Sequence, residues 1–92
     1  MKIIDNNVNE IKSGEEVRLK LGCSSMTFQY RGSDTVTVTG TVDGESFAAV
    51  AAVKLGDYAA ATGSLGEGIY RLMAVGVFAK LNFTFDSGSV TA

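Results

Sequence analysis

An all-β fold is what this sequence predicts: a single small β-sandwich or jelly-roll-like domain of about seven short strands. Three observations predict it. Apolar and polar residues alternate with a period of two along most of the chain. The runs that carry this alternation are short and rich in Val, Thr, Phe and Tyr. They are separated at near-regular intervals by Gly, Asp and Ser, which is the spacing of sandwiches and small barrels.

The elements follow in order. Val17-Arg18-Leu19-Lys20-Leu21 alternates apolar and cationic residues, so one face is expected inside and Arg18 and Lys20 in water. Met26–Arg31 repeats the pattern, and Gly22-Cys23-Ser24-Ser25 between them reads as a hairpin loop, with Cys23 as a small half-buried turn residue. Thr35–Val42 is β-branched almost throughout, Val on one face and Thr on the other. Asp43-Gly44 follows and suits a primed hairpin turn. Phe47–Leu55 is ambiguous. Its Ala content favours helix, but the hairpin signal before it and Gly56-Asp57 after it favour a strand. A loop over 54–67 could hold a short strand near Tyr58–Thr62. Ile69–Ala74 and Val77–Phe85 are two further strands joined near Gly76, the second placing Phe78 on the outer face. Asp86-Ser87-Gly88 turns the chain into Ser89–Thr91, which reads as a strand that stops as it starts, its backbone groups open to a partner.

Met1–Gly14 has no clean period. Ile3, Ile4, Val8 and Ile11 match neither 2 nor 3.6, and Asp5-Asn6-Asn7 interrupts any strand. Residues 1–14 are therefore expected to be an arm that docks on a partner through those four side chains, and residues 15–92 the sandwich. The expected core is Val17, Leu19, Leu21, Phe28, Val36, Val38, Val42, Tyr70, Leu72, Leu81, Phe83 and Val90. The competing reading makes 1–14 an irregular edge strand of the same sandwich.

Size and composition limit the functions. A chain of 92 residues makes one domain, burying roughly 60–65% of its unfolded surface, a fraction that association with a partner would raise. Net charge is −2, without the basic stripe that nucleic acid requires. With one Cys and no His, zinc patterns and His-assisted nucleophiles are absent. No apolar stretch follows Lys2 as a signal peptide would need, and Phe47–Val53 is too short to span a bilayer.

The remaining candidates for chemistry are weak. Gly63-Ser64-Leu65-Gly66-Glu67-Gly68 lacks the Lys of a phosphate loop, puts Glu where phosphate would sit, and reads as a flexible loop. Glu15/Glu16 and Asp43/Glu45 read as solvated charge rather than a carboxylate dyad. None of the acidic residues falls in a calcium-loop spacing. Tyr58 and Phe78 are the exposed aromatic candidates for a partner or a sugar. No catalytic, cofactor or metal residues are expected, and an enzyme is not.

One ordered set of motifs carries a resemblance. Gly40–Phe47 is Gly-x-x-Asp-Gly-x-x-aromatic and leads into the Ala-rich stretch; Gly68–Arg71, Gly76–Phe85 and Ser87–Thr91 follow. Together they span Thr35–Ala92 and resemble small surface proteins of tailed-bacteriophage virions, in particular head decoration or cement proteins. Met1–Leu21 has no counterpart in that pattern. The resemblance implies a non-enzymatic structural module on the virion surface, assembled in the host cytoplasm. It would bind the major capsid protein and stabilise the head, with self-association as a trimer and neither nucleic acid nor membrane as partner. The alternative is a tail or fibre module for a host cell-surface glycan, for which a chain without Trp is poorly supplied.

Overall fold

The structure, a computed structural model, describes residues 1–4 and 8–92. These residues form the short strands β1 (Lys2–Ile4), β2 (Glu10–Ile11), β3 (Glu16–Leu19), β4 (Met26–Arg31), β5 (Val36–Thr41), β6 (Ala48–Ala49), β7 (Ala52–Lys54), β8 (Ala60–Ala61), β9 (Ser64–Leu65), β10 (Gly68–Leu72), β11 (Lys80–Phe85) and β12 (Ser89–Thr91), with a 3-10 turn at Val75–Val77. They assemble into two sheets. The first has the order β1-β3-β11-β5-β6, with β9 also paired to β5; the second has the order β2-β12-β4-β10-β7-β8. The fold is nearly all β and sandwich-like, as the period-two pattern predicts.

The core lies between the sheets, where the alternation sends every second side chain. Phe28 of β4 bridges the layers: its ring meets Phe83 of β11 edge-on at 5.1 Å and stacks on Tyr70 of β10 at 5.5 Å. Val17, Leu19, Val36, Val38, Leu72, Leu81 and Val90 are buried with them, as expected. The two buried tyrosines satisfy their hydroxyls on backbone. Tyr30 donates to the Ser87 carbonyl at 2.8 Å and Tyr70 to the Gly66 carbonyl at 2.8 Å.

Two expected core residues lie outside it. Leu21 is 94% exposed because β3 ends at Leu19 and the chain turns at once, Cys23 N–H donating to the Lys20 carbonyl. Gly22 takes φ 94° beside Leu21, as the third residue of a type II turn must. Val42 is exposed because the chain leaves β5 after Thr41, whose hydroxyl donates to Asp43 Oδ1 and accepts from the Gly44 N–H. The Asp43-Gly44 turn is correspondingly wider than a two-residue hairpin, since Gly40 pairs with Ala48 across it.

Other expectations change with topology. The loop around Cys23 is no hairpin: β3 and β4 lie in different sheets, so the chain crosses between layers there, and Cys23 is exposed. The Ala-rich run is extended but split. Ala48–Ala49 pairs with β5 in the first sheet and Ala52–Lys54 with β10 in the second, while buried Val50 donates its N–H to the Val38 carbonyl between them. The glycine-rich stretch at 63–68 contains β9, which pairs with Val36 and Thr37 and buries Leu65.

The N-terminal segment departs most from expectation. β1 runs parallel to β3 and extends the first sheet, while β2 pairs with β12 and extends the second. Ile4 and Ile11 are core residues, so they are not available to a partner and the docking-arm reading is corrected. One short strand goes to each layer, and that is why no single period runs through the segment. The expected interruption at Asp5-Asn6-Asn7 lies outside the described residues. Ser89–Thr91 is likewise not left open. It pairs with β4 on one side and β2 on the other, and Asn9 and Ala92 exchange both backbone hydrogen bonds at 2.8 Å.

Candidate binding surface

An apolar surface lies where the chain switches sheets. Val75 is buried and anchors the 3-10 turn, so Met73 before it and Val77 after it are turned outward, 57% and 70% exposed. Ala74 takes a left-handed φ of 56° to enter this turn. Gly76 is held against the β3–β4 crossing: a Cβ there would lie 2.3 Å from the Cys23 carbonyl oxygen, a distance no side chain tolerates. The turn thus fixes two large apolar side chains beside small ones. Met73, Val77, Phe78, Ala49, Val53 and Ala60 line an open groove of about 400 Å³.

Phe78 was expected on an outer face. It is half-buried and packs on the core, because β11 begins only at Lys80 and the 3-10 turn resets the alternation before it. Its ring fills the place of a side chain at Gly40, where a Cβ would lie 2.9 Å from it. Tyr58 is exposed as expected, at φ 56° just before β8. Of the four residues assigned to the arm, Ile3 and Val8 are exposed and Ile4 and Ile11 are not. Nothing in the alternation singles out Met73 or Ala60, and a strand over 77–85 with Phe78 outward puts Val77 on the opposite face. The apolar run Met73-Ala74-Val75-Gly76-Val77, whose Gly breaks a strand period, was the available signal.

Two of the acidic candidates, Asp43 and Glu15, are engaged in local structure. Asp43 Oδ1 accepts from the N–H groups of Ser46 and Glu45 and from the Thr41 hydroxyl at 2.8–3.0 Å. These bonds, the Ser46 and Glu45 amides foremost, hold its carboxyl below the usual value. Glu15 accepts from Lys12 N–H at 3.1 Å and lies 3.6 Å from the Lys2 ammonium; the Lys12 amide is the main cause of its lowered pKa. Among the described residues no three His, Cys, Asp or Glu side chains gather as metal ligands, and no helix is long and apolar enough to cross a membrane.

Fold and surface together define a class: a small two-sheet β module whose most distinctive feature is an apolar groove at a sheet switch. No family model matches the chain, and no curated protein or solved structure is found similar to it.

Proposed function

We propose that this chain is a structural surface module of a tailed-phage particle, a decoration or cement protein that docks on the major capsid protein and stabilises the head. The observation that supports this reading is the groove: Met73 and Val77 are large, apolar, more than half exposed and fixed by a buried anchor. Rigidly presented apolar side chains beside small ones are what a protein partner covers, since their ordering cost is already met by the fold. The motifs at Thr35–Ala92 supply the virion context.

Cosedimentation of the purified protein with mature heads and with isolated tails of the phage that encodes it tests the proposal. Binding to heads at high copy number is expected, with Met73→Asp and Val77→Asp each weakening it about tenfold or more while leaving the thermal transition in place. Binding to tails alone would favour the glycan-binding fibre reading, and binding to neither would overturn the proposal.

A further inference from the structure

Strand β8 is the outer strand of the second sheet, next to β7. The direction of its backbone groups follows from its register. Lys54 N–H donates to the Ala59 carbonyl at 3.0 Å, and Ala52 stands opposite Ala61. Hydrogen-bonded and non-hydrogen-bonded pairs alternate in an antiparallel ladder. Ala59 and Ala61 therefore direct their groups at β7, and Ala60, opposite Val53, directs its N–H and C=O away from it. The neighbouring ladder agrees in phase: Leu55 N–H donates to the Ile69 carbonyl at 2.9 Å, so Val53 turns its groups to β10 and not to Ala60. Among the described residues nothing caps the Ala60 groups.

Short as it is, this edge lacks two of the features that keep sheet edges apart, charge and proline. Tyr58-Ala59-Ala60-Ala61-Thr62 has no charge and no proline. The outer strands at the N-terminal end differ. β1 carries Lys2 and β2 carries Glu10, followed directly by Lys12.

We infer that β8 is the contact through which two copies of this chain associate, by antiparallel pairing about a two-fold axis at Ala60. A second copy is the occupant because the edge is its own complement. At such an axis, a residue presenting both N–H and C=O exchanges two hydrogen bonds with its symmetry mate, and Ala60 presents both. In this register Ala59 stands opposite Ala61 of the second copy, and Asp57, the nearest charge in sequence, lies in the turn before the strand. No like charges face one another. Tyr58, 73% exposed, flanks the axis as an aromatic of the kind that dominates contacts. The contact is isologous and closes as a dimer, not as the trimer that the resemblance implies. Ala60 also lines the groove, but the contact uses neither Met73 nor Val77, so Met73→Asp and Val77→Asp separate the two, and the contact does not depend on the virion reading.

Sedimentation equilibrium over a concentration series, with the wild type, Ala60→Pro and Ala60→Lys, tests the inference. Proline removes the N–H that faces away from β7 and leaves the β7 ladder intact; lysine sets two like charges at the axis. The expected result is a monomer–dimer equilibrium for the wild type and dissociation constants raised about tenfold or more in both variants. The wild type alone gives a second readout, amide exchange at Ala60. Protection that rises with protein concentration supports the contact whether or not a variant folds. Monomers at every concentration with unprotected Ala60, a trimer, or a dimer indifferent to both substitutions would overturn it.

Discussion

The two outer strands of the second sheet are both two residues long, yet they are built in opposite ways. β2 is held from inside and guarded from outside. Ile11 is 1% exposed in the core, while the Lys2 ammonium donates to the Glu10 carbonyl and pairs with Glu15. β8 has neither device. Ala61 packs only partly against the core, Ala60 is exposed, and no charge lies between Tyr58 and Thr62. A short strand can thus be an anchored end of a fold or an open one, and what decides is the side chain beneath it and the charge beside it.

The largest effect that would break this comparison is at the anchored end. Ile11→Ala removes a fully buried branched side chain and is expected to cost about 2–5 kcal/mol, read as a lowered denaturation midpoint. Ala60→Lys at the open end is expected to change monomer stability by no more than about 0.5 kcal/mol. Similar losses at both would show that the two strands are anchored alike. A smaller effect sharpens the same contrast. The Tyr30 hydroxyl holds the turn into β12, the strand on which β2 pairs, through its bond to the Ser87 carbonyl. Tyr30→Phe is expected to lose about 0.5–1.5 kcal/mol and to speed amide exchange in β12 and β2. Exchange near β8 should be unchanged, and uniform acceleration would mean that the two ends open together.

The anchored end is also where the sequence was least legible. Ile3, Ile4, Val8 and Ile11 look aperiodic because the segment supplies one short strand to each sheet, and a strand of two or three residues shows no repeat. Where a strand stays in one layer for six residues, as in Met26–Arg31, the alternation located it to the residue. Leu21 and Val42 failed for a related reason: each continues an alternation past the residue at which a turn ends the strand, and periodicity does not mark that residue. The groove was hidden likewise. Val77 fits the inward face of a continuous strand, and only the turn anchored by Val75 reverses it. The hairpin signal at Asp43 does pair its flanking strands, β5 with β6, but the one at Gly22 does not, because β3 and β4 join different sheets. A turn sequence does not specify which sheet the next strand joins, and that is set by long-range packing.

The smallest expected effect is electrostatic and confined to the β2 end. Glu15 is half-buried, its side chain 30% exposed, and solvent still screens its interactions. Its folded pKa is nonetheless below the ordinary 4.5, first because it accepts the Lys12 N–H and further because Lys2 is near. The sign follows from linkage. A carboxylate with a depressed folded pKa stabilises the native state fully above its unfolded pKa, and the contribution is lost as pH falls through the folded value. Amide exchange at Lys12, corrected for its intrinsic pH dependence, should therefore quicken below about pH 4.5, the ordinary value. The same change should disappear in Glu15→Gln. Ala60 has no carboxylate on its amide, so its corrected exchange should not follow this titration in the monomer. A matching acid transition at Ala60 would tie the two edges together and remove the distinction between them.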